Sequence, residues 1–301
     1  MSTAIDGTTS GTTRATIARL DRAAVQPYLP LLDAWLLPGT FHGVQHTWPQ
    51  LYRSDGDGAF FVLRDGERLV SHCAVRVVTA RTGKGELPLA LIGSVATDPE
   101  LRGHGHAGTV LTTALDAFAN EVAGFVLWAE RPELYARHGF VAGTDEPCLL
   151  LARRPRGGDR VVRRASVTDH AALHALHERK PLGVRRTLRT MSTLLTTPGM
   201  DVFVLERDGT AVAYACCGKG ADLHDHWHEL GGSDDDLARL LPAAMHACDQ
   251  IDAALLLPPY RARLAELLAD HVVGEVAVAG PMVRPATLAA APCWFDGLDS
   301  V

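Results

Sequence analysis

Apolar residues recur along the chain in two rhythms, every second position where a strand is expected and every third or fourth where a helix is. Residues 16–36 (TIARLDRAAVQPYLPLLDAWL) predict a short strand and then a helix that starts near Asp21 and is interrupted or restarted at Pro27. AFFVLRDGERLVSHCAVRVVTAR alternates as a hairpin, with Asp65-Gly66 supplying the positive φ of its turn. Residues 87–98 (LPLALIGSVATD) form an apolar run bounded by turn residues, and from Gly105 to Ala123 the spacing becomes helical. A strand therefore feeds a helix across a glycine-rich loop. AGFVLWAE (123–130) predicts a buried strand, RPELYARHG a short helix stopped by Gly139, and FVAGTDEPCLLLA the strand that returns to the sheet.

Near residue 152 the pattern breaks into ARRPRGGDR, a charged segment with Pro and Gly typical of a linker. The expected division is a flexible tail (1–14), a first module (15–152), a linker (153–159) and a second module (160–301). The second repeats the first in outline: strand, helices, a hairpin turning at Asp208-Gly209, strand WHELGG, helix DLARLLPAAMHACDQ, strand DAALLLPP, helix YRARLAELLADH and strand EVAVAGPMVR. FVLRDGERLVSHCAV (61–75) and FVLERDGTAVAYACC (203–217) are similar enough to suggest a duplicated α/β unit.

Composition narrows the class. With 301 residues, 47% apolar and 21% charged, the chain has material for two globular cores, which excludes collagen-like, coiled-coil and wholly disordered readings. A formal charge of −6 argues against broad contact with nucleic acid or an anionic membrane surface. The six cysteines form no C-x-x-C pair and no disulfide framework, the opening residues lack a signal-peptide pattern, and no apolar run is long enough to span a bilayer. The expectation is a reduced, cytoplasmic protein.

Candidate chemistry concentrates in S-V-A-T-D-P-E-L-R-G-H-G-H-A-G, residues 94–108. Gly103, Gly105 and Gly108 permit close backbone approach, and the unpaired N–H groups of the following helix converge with its dipole on one point. Such a point suits a diphosphate, to which Arg102 adds a cation. No G-K-[ST] follows, so the loop is not a P-loop. Arg102-Gly103-His104-Gly105-His106-Ala107 resembles the R/Q-x-x-G-x-G/A signature of the GCN5-related N-acetyltransferases (GNAT), and Leu134-Tyr135-Ala136-Arg137-His138-Gly139-Phe140 resembles that family's Y-x-x-x-G-F segment. The resemblance covers roughly residues 15–150.

It implies an α/β (α+β) fold of two tandem modules, each a mixed, mostly antiparallel sheet flanked by helices. It also implies acetyl-CoA as donor, held by Val95, Ala96, Thr97, Arg102, Gly103, His104, Gly105, His106, Ala107 and Gly108, with no metal. The strand ending at Thr97 would part from the strand 123–130, and an amine would attack the acetyl carbonyl directly. Tyr135 is then the candidate acid for the leaving thiolate and Glu130 the candidate base. A small-molecule amine is the expected acceptor, with protein or peptide acetylation and a non-catalytic acyl-CoA sensor as alternatives; a homo-oligomer is left open.

Other residues weigh less. His42, His46 and Trp48 fall where this family places acceptor contacts, whereas His72 beside Cys73 reads as packing or rim. His224, His226 and His228 share one side of an extended segment without completing a metal site. The second module carries Asp234, Asp235 and Asp236 where the first has its glycine loop, and three carboxylates repel a diphosphate. It reads as a degenerate copy that supports the first and walls its acceptor site. An intact first copy is the reverse of mycothiol synthases and matches the enhanced-intracellular-survival type of aminoglycoside acetyltransferase. That type uses a chain-terminal carboxylate and adds a sterol-carrier-like domain for which this chain has no room, which raises the question of whether Val301 reaches the site.

Overall fold

The structure is a computed structural model that describes residues 4–5, 15–53, 55–154, 161–220 and 223–301. In the first half, β1 (Ala4–Ile5) and β2 (Ala15–Leu20) precede four short helices, α1 (Arg22–Val25), α2 (Leu29–Leu36), α3 (Val44–Thr47) and α4 (Pro49–Tyr52). Asp21 caps α1 by accepting the Ala24 amide at 2.9 Å. β3 (Ala59–Asp65), β4 (Arg68–Thr82) and β5 (Gly85–Thr97) run antiparallel, with Gly66 at φ +59° in the first turn. α5 (His106–Phe118) crosses over and β6 (Gly124–Leu127) lies parallel to β5, followed by α6 (Pro132–Ala136), β7 (Val141–Ala142) and β8 (Glu146–Ala152).

The second half follows the same order. β9 (Val162–Arg164), α7 (His170–Glu178), β10 (Gly183–Val184) and α8 (Leu188–Leu195) lead to the hairpin of β11 (Asp201–Arg207) and β12 (Thr210–Lys219). β13 (Leu223–Gly231), α9 (Asp234–Ala247), β14 (Asp252–Leu256), α10 (Ala262–Leu267), β15 (Val272–Val278) and β16 (Met282–Arg284) complete it. Among the described residues no helix is long and apolar enough to cross a membrane, and the six cysteines are free.

Two mixed sheets result, each flanked by helices. The first runs β1-β2-β3-β4-β5-β6-β16-β7 with β10 beside the end of β4; the second runs β15-β8-β14-β13-β12-β11-β9. Of the expected returning strand only the short β7 stays with the first sheet. β8 pairs with β14 and β15 in the second sheet, and β16 enters the first sheet between β6 and β7. Alternation demands only one apolar face, and either sheet can bury Leu149 and Leu151. The exchange is permitted where the two segments cross. A Cβ at Gly143 would sit 2.4 Å from the Pro281 carbonyl oxygen and one at Gly280 would sit 2.0 Å from that of Thr144, so the backbones pass at a distance open to glycine. The sequence linker 153–159 thus does not coincide with the division between sheets; its residues 155–159, like most of the tail 1–14, lie outside the described residues.

Each sheet has two covered faces. α5 packs its Val110, Leu111, Ala114, Leu115 and Phe118 against Phe61, Val75, Ile92 and Phe125 on one face of the first sheet. The other face is covered by α1–α4 toward β2–β4 and, toward β5, β6 and β16, by the C-terminal tail with Phe295 and Val301. In the second sheet, α9 and α10 cover one face and α7 and α8 the other.

Candidate active site

β5 and β6 are paired only from Leu89↔Gly124 to Leu91↔Val126. Beyond Leu91 the partners part, while β5 stays paired to β4 as far as Thr97. The edge of β5 facing the gap is thus an unpaired strand edge, which in a sheet interior invites an extended ligand. At the same level the β4–β5 ladder carries a bulge: the register moves from Ala74↔Gly93 to His72↔Ala96, leaving Ser94 and Val95 opposite the single residue Cys73. Ser94 is buried and has φ +50°, a conformation uncommon for a residue with a Cβ.

Past Thr97 the chain is fixed before it opens. Asp98 accepts the Glu100 amide at 3.0 Å and two bonds from Arg68 at 3.1 and 2.7 Å, and the Arg68 guanidinium beside it holds its carboxyl below the ordinary range. Gly103 and Gly105 then take φ +85° and +81°, and an added Cβ at either meets nothing within 4 Å. Gly105 is the N-cap of α5 and offers no side chain, and the first turn of a helix has no internal partner for its amides. Among the described backbone bonds none is donated by the amides of Arg102 through Gly108. A row of free N–H groups at a helix start, opened by two glycines, fits an anionic diphosphate. Arg102 is exposed, with Nε 3.3 Å from the Thr97 carbonyl oxygen, so its guanidinium lies at the loop. His104 and His106 stack at 5.9 Å with His104 exposed.

Tyr135 lies on α6, half-buried, with its ring edge-on to Phe140 at 6.2 Å and packed into the core that holds Cys73, Val95 and α5. Burial pushes its phenol up to about 12, with the Cys73 thiol nearby adding to the rise. Glu130 follows three residues after the end of β6 and stands exposed. His42, in the loop before α3, and His46, on α3, approach each other at 5.7 Å; the Val44 amide ties the start of α3 to Asp33 of α2 at 2.7 Å, and Trp48 packs onto the α1–α4 core.

The histidine run is not gathered into a site: His224 is exposed and paired with Asp225 at 2.8 Å, whereas His228 is buried and its imidazole pushed down to about 3 by desolvation. A different trio, His177, Glu229 and Asp296, comes within ligating distance. Cations of the protein itself are already there, since Lys180 Nζ lies 2.8 Å from Asp296 and Arg186 is bidentate to Glu229 at 2.7 and 2.9 Å. Arg186 also forks onto Asp299 at 3.0 and 2.7 Å. These groups are all buried, and Tyr214 donates to Glu229 at 2.7 Å.

Two features here escape a reading of sequence. Asp296 and Asp299 belong to the C-terminal tail, and the buried cations of the second half draw that tail between the sheets. Lys219 Nζ donates to the carbonyl oxygens of Gly297 and Ser300, and Gln50 donates to the latter at 2.9 Å. Val301 thereby comes to rest on Gly93, where an added Cβ would be 2.1 Å from its carbonyl carbon. The second is His72, which is not on the rim: it is fully buried and its Nδ1 lies 2.8 Å from the Ser94 carbonyl oxygen. No local pattern signals either, because both depend on segments far apart in the chain.

In the second half the equivalent helix start is acidic and partly capped. Ser233 caps α9 through the Asp236 amide, and Asp234, Asp235 and Asp236 pair with Arg261, Arg263 and Arg207 at 2.5, 2.9 and 2.6 Å. The carboxylates oppose a diphosphate there by their charge, although a cavity of about 730 Å³ lined by Lys180, Gly232, Ser233, Tyr260 and Arg261 lies beside them.

Residues 33–143 match the family model of the acetyltransferase (GNAT) domain. No curated protein matches the chain by sequence. Among solved structures, a probable N-acyltransferase of Enterococcus faecalis superposes with a TM-score of 0.70 at 15% identity, covering 90% of this chain and 73% of its own. A GCN5-related N-acetyltransferase from Kribbella flavida gives 0.66 at 18% identity over 90% and 71%. Eis1 from Mycobacterium abscessus gives 0.58 at 16% over 89% and 73%. These similarities extend the fold likeness over both halves, and residues 33–143 carry the match to the acetyltransferase (GNAT) domain.

Proposed function

We propose that the protein transfers the acetyl group of acetyl-CoA to an amine of a small molecule by direct attack in a ternary complex. The observation that carries this reading is a coincidence of place. The free amides at the start of α5 lie directly after the strand whose far edge is released by β6. A diphosphate gripped by Gly103–Gly108 and Arg102 leaves the attached arm to run along that edge, past Val95, Ala96 and Thr97.

The chain's own residues then divide the work. Tyr135, held near 12, keeps its proton at neutral pH and lends a hydrogen bond to a departing thiolate whose ordinary value is about 8.5. Glu130, exposed at the strand end, takes the proton of an incoming ammonium through water. The α1–α4 face and the tail wall the opposite side, where His42 and His46 offer polar contacts to the acceptor. The second half, with its own helix start acidic, serves the first by anchoring that tail.

A panel of small amines, assayed for thiol release from acetyl-CoA, tests the reading. Amine-dependent turnover is expected, with Tyr135→Phe lowering kcat by about 10²-fold while the affinity for acetyl-CoA holds. Tight binding without turnover on any amine would mark a sensor instead, and turnover confined to peptides would move the acceptor to protein.

A further inference from the structure

The bulge opposite Cys73 has a lock. Ser94 and Val95 share a peptide whose carbonyl oxygen lies 2.8 Å from His72 Nδ1, with His72 and Ser94 both buried. A carbonyl only accepts, so Nδ1 carries the proton and donates it. The imidazole is held between Tyr52 and Phe60, at 6.2 and 5.9 Å between ring centroids, and its Nε2 is buried without a protein partner. The ring is thus a fixed, neutral donor; burial pushes it down to about 4.

A trans peptide carries its N–H opposite its C=O. The Ser94 carbonyl points at His72, on the face packed by α1–α4, so the Val95 N–H points away from that face and from β4. It faces the side where Cys73, Tyr135 and α5 pack, next to the edge that β6 has left. Ser94 at φ +50° is the backbone distortion that accompanies this orientation, and a distorted residue persists only when its surroundings hold it.

We propose that His72 is a positioning residue: it locks the Ser94-Val95 peptide and so holds the Val95 amide toward the strand gap, where the acetyl transfer proposed above already calls for a backbone donor to the thioester oxygen. The inference rests on the proposed acetyl transfer. A preorganised amide at that point is the arrangement that stabilises an oxyanion without reorganisation.

Asn places an N–H two bonds beyond Cβ, as His Nδ1 does, whereas Gln places it one bond further and Leu removes it. His72→Leu is expected to lower kcat by about 10²-fold or more with KM for acetyl-CoA within about twofold, and His72→Asn to recover most of the loss, His72→Gln little. Equal losses in Asn and Gln, or a loss carried by KM, would overturn the proposal; the Asn and Gln pair keeps the comparison available if the Leu protein does not fold. A pH limb of kcat that vanishes in His72→Asn would make His72 a base and also overturn it.

A second readout needs no acceptor. The ¹⁵N amide resonance of Val95 should shift on adding acetyl-CoA beyond the shift given by CoA, which lacks the carbonyl, and His72→Asn should preserve that difference. Binding of acetyl-CoA with no such difference overturns the oxyanion assignment while leaving the transferase reading intact. Failure of the wild-type protein to bind acetyl-CoA overturns both.

Discussion

Gly93→Ala is a one-methyl test of where the tail ends. An ordinary van der Waals contact is 3.4–4 Å, but the new Cβ would lie 2.1 Å from both the carbonyl carbon and the oxygen of Val301 and 3.0 Å from its Cγ2. Relief requires the tail to retreat by about 1.3 Å. Ser300 cannot follow freely, since Lys219 and Gln50 each hold its carbonyl oxygen at 2.9 Å, and such a retreat takes both bonds beyond hydrogen-bonding range. Overpacking of this kind costs about 1–3 kcal/mol, and a buried donor left without its acceptor costs a similar amount. Gly93 has no positive φ, so alanine adds no backbone strain of its own. Urea unfolding at neutral pH should therefore show a loss of about 2–6 kcal/mol, and the same substitution in a chain lacking Val301 should lose far less. That double-mutant cycle isolates the contact. An unfolding curve that superimposes on wild type, or an equal loss with Val301 removed, would refute the placement of the tail on Gly93.

Arg186→Met leaves Glu229 and Asp299 buried with one cation fewer, and should cost about 3–5 kcal/mol by denaturant unfolding, far more than an exposed pair such as Arg263 with Asp235. His72 stays neutral in the folded chain down to about 4 while the unfolded chain takes its proton near 6.5. Its share of stability is thus present above pH 6.5 and lost as pH falls to 4, on the order of 3 kcal/mol. Glu146, pushed up to about 7 by burial, opposes this between 4.5 and 7, so the quantity to measure is the difference between wild type and His72→Asn in unfolding free energy at pH 7 and pH 4.5. Gly105→Val forces a β-branched residue to φ +81° and should weaken acetyl-CoA binding by calorimetry, as should Arg102→Ala, by about tenfold and more strongly at low salt. Unchanged affinity in both would remove the loop from the donor site.

The local grammar of the chain was legible. The Asp65-Gly66 and Asp208-Gly209 turns, the helix after Gly105, the stop at Gly139 and the parallel order of the two halves all follow from residues within a few positions of one another. The glycine-opened helix start of the proposed donor site was legible for the same reason, since its glycines and Arg102 are contiguous. Strand partnership was not. β8 and β16 each have an alternating face that either sheet could bury, and only the backbone crossing at Gly143 and Gly280 decides which does. The burial of His72 against the Ser94 carbonyl and the place of Val301 were decided the same way. One depends on a bulge that turns the Ser94 carbonyl toward another strand, the other on buried ion pairs between residues more than a hundred positions apart. Short-range preferences write the elements, and the burial of charge and the passage of one backbone across another choose how they meet.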